Sequence, residues 1–194
     1  MNEEALYLTK VESHAADART VFGFWTYLTT DCVLFAALFS VYAVLHVGGG
    51  VNLFSLPFVL VETLLLLTSS FTCGLALLAA RDSQKAAVMQ WLGVTFVLGA
   101  AFLALEISEF SRLVASGHGP QLNGSFSSYF TLVGTHGLHV FVGLLWMLAL
   151  LIALSRRGLS RFNLRKLVLL AFFWHFLDII WIFIFTFVYL TGSL

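Results

Sequence analysis

Five long apolar runs, separated by short polar breaks, dominate this chain of 194 residues. A helix that crosses a bilayer needs about 20 mostly apolar residues. With 60% hydrophobic and only 10% charged residues, a soluble domain of this size could not bury its apolar surface. The sequence therefore predicts an all-α, polytopic membrane protein. The expected architecture is a bundle of five transmembrane helices over residues 22–194, preceded by a polar cytoplasmic segment over residues 1–21. The runs are Phe22–Val47, Leu56–Ala80, Ala86–Phe110, Ser127–Leu154 and Leu167–Thr191.

Basic residues gather on one side of the predicted membrane. Five spans place the N-terminal segment and the second and fourth connections on the same side, and these segments hold nine of the ten Lys and Arg residues. Arg112, in the third connection, is the tenth. Because cytoplasmic segments carry an excess of Lys and Arg, we expect a cytoplasmic N-terminus and a periplasmic C-terminus. The N-terminal segment has no basic region before a short apolar stretch, so we expect no cleavable signal peptide.

Turn formers and charges separate the runs, as expected of connections between helices. We expect a Gly-rich link, a short charged turn, a Gly/Pro/Asn loop and a basic loop. They are Gly48-Gly49-Gly50, Arg81–Lys85, Ser116–Gly124 and Ser155–Lys166, in that order.

Ionisable residues well inside the apolar runs are the candidates for function, because a charge at mid-bilayer costs a few kcal/mol or more. Half of the 10 acidic residues lie there, with three histidines and without a Lys or Arg. They are Asp31, Glu62, Glu106, Glu109 and Asp178, with His136, His139 and His175.

Six of these residues form pairs spaced three apart, which places each pair on one face of its helix. Helices 3, 4 and 5 carry one pair each: Glu106 with Glu109, His136 with His139, and His175 with Asp178. At 1.5 Å rise per residue, the pairs lie at different depths. We therefore expect a staggered arrangement and not one convergent site.

Three interpretations of the pairs are open. Histidine and carboxylate can ligate metal or haem, but the Glu-x-x-His pattern of di-iron bundles is missing from these helices. Chains of acids and histidines can also relay protons across membranes. The interpretation we favour is a buried polar network that holds helices 3 to 5 in register. It predicts no catalytic, cofactor-binding or metal-binding residue in this chain.

Glu62 stands apart, because no acid or base lies three or four positions away on its own helix. Leucines and Val61 surround it, with Thr63 as the nearest polar side chain. Such surroundings favour a neutral, hydrogen-bonded carboxyl, and a proton-uptake or lipid-linked role is the functional alternative. Asp31, beside Thr29 and Thr30, has the same two interpretations and is undecided.

Several motifs in order make the chain similar to subunit III of the haem–copper terminal oxidases. The resemblance runs from about Phe22 to the C-terminus, and the five-helix length is most like the cytochrome o-type ubiquinol oxidases. The motifs are Phe22-Gly23-Phe24-Trp25 through Asp31, Leu56-Pro57-Phe58-Val59-Leu60-Val61-Glu62-Thr63, Glu106-Ile107-Ser108-Glu109-Phe110, Gly134-Thr135-His136-Gly137-Leu138-His139-Val140, Phe173-Trp174-His175-Phe176-Leu177-Asp178 and Phe185-Thr186-Phe187-Val188-Tyr189-Leu190.

The resemblance implies an accessory subunit without cofactors of its own, in a complex that oxidises ubiquinol, reduces oxygen to water and pumps protons. Haems and copper are then expected in the partner, subunit I, which this chain would stabilise while binding phospholipid and supporting proton uptake. Glu62 matches the family's buried glutamate near a lipid cleft. The implied location is a bacterial inner membrane, with other oxidase subunits as further partners and no nucleic acid.

Two alternative functions are kept. Some five-helix members of the family serve cytochrome c oxidases, so the electron donor could differ. A proton-coupled transporter is the alternative from another class, and it predicts helices broken near the middle of the membrane. Pro57 is the only proline within the five runs, and it lies at a helix start, where proline is tolerated. The runs therefore lack prolines that would break a helix near its middle, which weakens the transporter interpretation.

Overall fold

The computed structural model describes the backbone of residues 3–45 and 56–190 and the side chains of residues 18–45 and 57–190. Every regular element in these ranges is helical, and five helices are long and apolar enough to cross a membrane. The all-α, five-span prediction is therefore confirmed. The elements are α1 (Glu3–Leu45), α2 (Leu56–Arg81), α3 (Lys85–Ala115), α4 (Gly124–Arg157) and α5 (Arg161–Ile184), which continues into a π-helical turn (Phe185–Leu190).

The helices extend beyond the apolar runs. The largest difference is at α1, which begins at Glu3 and not near Phe22. α5 begins at Arg161, so that most of the predicted basic loop is helical and the connection from α4 is only 158–160. Lys and Arg are good helix formers and can lay apolar stems along a helix while their charges reach water. The predicted Gly-rich link, Gly48-Gly49-Gly50, lies outside the described residues.

Helix ends follow local chemistry. The Asn123 side chain accepts a hydrogen bond of 2.9 Å from the backbone N–H of Phe126, and Ser160 accepts one of 3.2 Å from Asn163. Both are N-caps, which satisfy donors that the first helical turn leaves free. Gly158 ends α4 at φ 67°, a conformation that glycine adopts without strain. These signals explain the sharp turns between long helices.

The chain forms two units, Met1–Leu34 and Phe35–Leu194. In the first unit α1 is a continuous helix, so the polar N-terminal segment is helical from Glu3 onward. Asp31 is buried in this helix, and the Tyr27 hydroxyl one turn earlier hydrogen-bonds its carboxyl. The i, i+4 spacing allows that contact within one helix.

The second unit is built on a ring of four helices. α2 packs against α3 and α5, α3 packs against α4, and α4 packs against α5. At one end of this ring the Lys85 ammonium donates to the Ser155 carbonyl over 3.1 Å, which joins the α2–α3 and α4–α5 connections. Seven of the eight Lys and Arg residues of this unit lie on or beside these two connections, and Arg112 lies toward the other end.

Trp174 of α5 occupies the centre of the ring. Its indole N–H donates to the Ser69 hydroxyl of α2 over 3.0 Å. The Trp174 indole also packs on two glycines, Gly99 of α3 and Gly143 of α4. A β-carbon at these positions would lie 2.6 Å and 3.0 Å from indole atoms. One fully buried side chain thus contacts the other three helices, and the two glycines allow its close approach.

Further hydroxyl groups on α2 also form hydrogen bonds to neighbouring helices. The Trp181 indole N–H donates to Thr63 over 3.1 Å, and the hydroxyls of Thr72 and Thr95 lie 2.8 Å apart. Thr63 and Thr72 are buried with Thr95. Since hydrocarbon offers no competing water, these bonds specify how α2 sits against α3 and α5.

Replacing Gly99 with alanine should destabilise the fold, because the new methyl group would overlap the indole of Trp174. We expect a loss of about 1–3 kcal/mol, as for other overpacked cores, measured as a lower Tm of the purified protein in detergent. Gly93 of α3 is the matched control, because a β-carbon there meets nothing within 4 Å. Gly93→Ala should leave the Tm unchanged or raise it, since alanine favours helix. Equal Tm values for both variants would contradict this packing.

Candidate functional site

Three carboxyls from two helices gather at the end of the ring that carries Arg112. Glu62 of α2 and Glu106 and Glu109 of α3 are 0%, 2% and 7% exposed. Glu62 interacts electrostatically with both Glu106 and Glu109. Glu62 is therefore not solitary in the fold, although it is alone on its own helix. We call Glu62, Glu106 and Glu109 the carboxyl cluster.

Two tyrosines connect the carboxyl cluster to α4 and to the end of α5. The Tyr189 hydroxyl donates to Glu109 over 3.3 Å and lies 2.8 Å from the Tyr129 hydroxyl. Tyr189 stands in the π-helical turn, and both tyrosines are buried. A π-helical turn shifts the side chains that follow it relative to a regular helix, and here Tyr189 reaches the cluster from that turn.

The other two carboxyls have different surroundings. The oxygens of Glu62 and of Glu106 have no hydrogen-bond partner among the described residues. Glu106 lies against the backbone of α4 at Gly137, where a β-carbon would come within 2.8 Å of a carboxyl oxygen. Buried carboxyls that accept no hydrogen bond and lie near one another are stable mainly as neutral groups.

The histidine pair on α4 is used mainly for packing. His136 is fully buried among three aromatic rings, with centroid distances of 5.2 Å to Trp181, 6.0 Å to Phe102 and 6.4 Å to Phe35. Neither of its ring nitrogens has a hydrogen-bond partner in the described part of the chain. His139 Nδ1 lies 2.7 Å from the Thr135 carbonyl of its own helix, where an Nδ1–H donates.

The pair on α5 turns toward α2. His175 Nδ1 lies 2.6 Å from the Ser70 hydroxyl, and the same hydroxyl interacts with the Asp178 carboxyl. Asp178 is 8% exposed, whereas His175 is only partly buried. The three polar pairs thus occupy three separate environments, as their staggered spacing predicts, but this third pair joins α5 to α2 instead of to α3 or α4.

The described residues provide no metal centre. No group of three or more His, Cys, Asp and Glu side chains between residues 18 and 45 or 57 and 190 is arranged to hold an ion. Cys32 and Cys73 are free thiols. A metal ion held by three or more of these side chains would therefore lack a ligand set in this part of the chain.

Residues that the polar pairs do not predict complete these environments. They are the hydroxyls of α2 that bond tryptophans, His175 and Thr95, and the two tyrosines beside the carboxyl cluster. Hydroxyls spaced along one helix were a usable signal, because Ser and Thr often bond neighbouring helices in membranes. The tyrosines lie 60 residues apart and carry no local signal. These residues are Thr63, Ser69, Ser70, Thr72, Tyr129 and Tyr189.

Comparison with known proteins tests the resemblance to oxidase subunit III independently of the motifs quoted above. The family described as "Cytochrome c oxidase subunit III" matches residues 17–193. "Cytochrome bo(3) ubiquinol oxidase subunit 3" of Pseudomonas aeruginosa is 55% identical over 94% of this chain and 90% of its own length. The protein of the same name from Buchnera aphidicola is 41% identical over 92% and 90%. "Probable quinol oxidase subunit 3" of Staphylococcus aureus is 42% identical over 88% of both chains. The family inferred from the motifs is confirmed.

Substitutions at His136 distinguish aromatic packing from a polar network. His136→Phe keeps a planar ring against Trp181 and should change the free energy of unfolding by less than about 1.5 kcal/mol, as conservative core swaps do. His136→Ala should cost about 2–5 kcal/mol through the cavity that it leaves. Both values would come from unfolding of the purified protein in mixed micelles. If phenylalanine is as damaging as alanine, His136 takes part in hydrogen bonding.

Proposed function

The chain belongs to the cytochrome c oxidase subunit III family, and from this premise we propose that it is an accessory subunit of a terminal ubiquinol oxidase. The complex would oxidise ubiquinol, reduce oxygen to water and move protons across the membrane. The observation that carries the proposal is the near full-length similarity to relatives named as ubiquinol or quinol oxidase subunits. That similarity also favours a quinol over cytochrome c as the electron donor.

Within this complex we assign the chain a supporting role without electron transfer. The three polar pairs of α3, α4 and α5 lie in separate environments, and the described residues contain no group of three or more His, Cys, Asp and Glu side chains arranged to hold a metal ion. Redox centres would then lie in subunit I, the main partner. Buried hydrogen bonds hold the four helices of the ring in fixed positions. The outer surface of the ring is therefore rigid, which suits it to stabilising a neighbouring membrane subunit.

Glu62 is the residue to which we assign a role in proton uptake. It is fully buried, its oxygens have no hydrogen-bond partner among the described residues, and two further carboxyls lie near it. Neighbouring carboxyls share protons, because they cannot all carry charge. Such a group can hold a proton beside a partner's uptake path without a metal or cofactor.

Lipid binding is the second part of the proposed role. An apolar groove of about 280 Å³ lies between α3 and α4 and is lined by long aliphatic and aromatic side chains, including Phe96, Leu103, Phe141 and Leu145. Its chemistry suits a phospholipid acyl chain.

The proposed orientation follows from charge. Seven of the eight cations of the second unit lie at the end of the α2–α3 and α4–α5 connections, which the positive-inside rule assigns to the cytoplasm. The membrane would be the bacterial inner membrane. A proton-coupled transporter remains the alternative class, but it would have broken helices around a midplane site, and α2, α3 and α4 are each continuous.

Removing the chain from the complex tests the accessory role. We expect the remaining complex to keep its haem absorbance and most of its initial quinol oxidase rate, because the redox centres lie elsewhere. Its activity should then decline faster over repeated turnovers than that of the intact complex. Visible spectra and oxygen consumption traces of both preparations provide the measurement. Loss of haem in proportion to loss of this chain would show that the chain holds a redox centre.

Glu62→Gln tests the proton role. An amide nearly matches a neutral carboxyl in shape, so the complex should assemble normally and its stability should change by no more than about 0.5–1 kcal/mol. Turnover-dependent loss of activity should be faster than in the wild type. Glu109→Gln is the comparison variant within the cluster, because its amide oxygen still accepts from Tyr189. It should shorten the turnover lifetime less than Glu62→Gln does, since Glu109 is held by that bond and Glu62 has no hydrogen-bond partner among the described residues.

Two results would contradict the role of Glu62. Failure of the Glu62→Gln complex to appear on a native gel would mean that Glu62 is ionised and paired. Equal turnover lifetimes for the wild type and both variants would remove the proton role while leaving membership of the complex intact.

A further inference from the structure

A groove of about 370 Å³ runs along the outer surface of the ring between α2 and α5. Its α2 side is a stripe of residues three or four apart, which is the spacing of one helical face. Phe71 and Leu78 on this stripe are 67% and 54% exposed, so the groove is open to the surroundings. We call it the α2–α5 groove; it is lined by Leu67, Ser70, Phe71, Gly74, Leu75, Leu78, His175 and Asp178.

The polar part of the groove is Ser70, His175 and Asp178. The Ser70 hydroxyl lies 2.6 Å from His175 Nδ1 and interacts with the Asp178 carboxyl. The other carboxyl oxygen, Oδ1, has no hydrogen-bond partner among the described residues, although Asp178 is more than nine-tenths buried. A buried acceptor without a hydrogen bond is destabilising, so a donor from outside the ring would stabilise the assembly.

The hydrogen-bond pattern indicates which chemistry the groove requires. When Asp178 is ionised, its carboxylate is a stronger acceptor than an imidazole nitrogen for the single proton of the Ser70 hydroxyl. Ser70 therefore donates to Asp178, and the Nδ1–H of His175 donates to Ser70. In a neutral imidazole this leaves Nε2 as an acceptor. Asp178 Oδ1 and His175 Nε2 are then both acceptors, and their missing partner is a hydrogen-bond donor.

Depth decides between a lipid and a polypeptide as the source of that donor. Ser70 and His175 lie within one helical turn of the midpoints of the spans Pro57–Arg81 and Arg161–Leu190. The polar headgroups begin about 15 Å from the bilayer centre, since the hydrocarbon core is about 30 Å thick. Acyl chains reach the groove but have no donor, whereas a transmembrane helix can supply a side chain there.

We propose that the α2–α5 groove docks a transmembrane helix of another subunit of the oxidase, which places a hydrogen-bond donor against Asp178 and His175. The proposal rests on membership of the oxidase complex. Gly74 provides the closest approach, because a β-carbon there would meet nothing within 4 Å inside the chain and small residues let helices pack closely. The donor would be a hydroxyl, amide, indole or cationic group on the facing side of the partner helix.

Filling the groove is the first test. Gly74→Leu adds a side chain where the chain itself has open space, so the protein should still fold, while the partner helix is displaced. We expect recovery of this chain with affinity-tagged partner subunits in mild detergent to fall about tenfold, the effect of roughly 1.4 kcal/mol of overpacking. Gly93→Leu, the matched control on α3, also meets open space and should be recovered at the wild-type level.

Equal recovery of Gly74→Leu and Gly93→Leu would overturn the proposal, whatever that shared level is. The membrane level and the Tm of each variant are measured before the pull-down, to check that the variant is folded. Should the Gly74→Leu chain be unfolded, the second test decides by itself.

Photo-crosslinking in the intact complex is the second test. A benzophenone amino acid replacing Phe71, at the rim of the groove, should form an adduct with another subunit. The same amino acid replacing Val97 on α3, which is similarly exposed at 65%, should give mainly lipid adducts. Only lipid adducts at both positions, in a complex that still contains this chain, would refute the docking site and leave the proposed function standing.

Discussion

The contact of Trp174 with α2, α3 and α4 is the interaction on which the ring of helices depends. In a bilayer the hydrophobic effect does not drive helices together, because lipid tails are as apolar as leucine. Close packing and buried hydrogen bonds must do this instead. Trp174 does both, with its indole between Gly99 and Gly143 and its N–H bonded to Ser69. A larger side chain at Gly99 or Gly143, or loss of the Ser69 hydroxyl, would displace Trp174 and so affect its contacts with α2, α3 and α4.

The same constraint explains how the buried polar groups are distributed. Burying a polar group is costly unless it is hydrogen-bonded, and the serines and threonines of α2 bond the tryptophans of α5 and Thr95 of α3. α2 therefore carries more of the connections between helices than its sequence suggests. The carboxyl cluster and the Ser70–His175–Asp178 group lie at different depths along this helix, which separates the proposed proton-holding region from the proposed docking surface.

The number and order of the helices could be predicted from sequence because length and hydropathy alone decide whether a helix can span a membrane. The turns around residues 81–85 and 116–124 were also predictable, since turn formers act locally. The basic stretch before residue 167 is predicted as a loop, because charged residues commonly separate membrane-spanning helices. Its capping residue, Ser160, and the helix propensity of Arg and Lys prevailed instead.

The polar residues show where prediction from sequence ends. The spacing of Glu106 and Glu109, or of His175 and Asp178, indicates a shared helix face but not the neighbour that this face meets. The carboxyl cluster, the Tyr129–Tyr189 pair and the bond from His175 to Ser70 join residues between about 40 and 100 positions apart.

The sequence by itself determined that this chain spans a membrane five times and which family it belongs to. Periodicity and composition are local properties, and a few ordered motifs are enough to mark a family. Only the tertiary structure decided that Glu62 has two acidic neighbours, that His136 is surrounded by aromatic rings and that Asp178 faces a groove. Those outcomes depend on how the helices are rotated against one another, which is set jointly by Trp174, its glycines and the hydroxyls of α2.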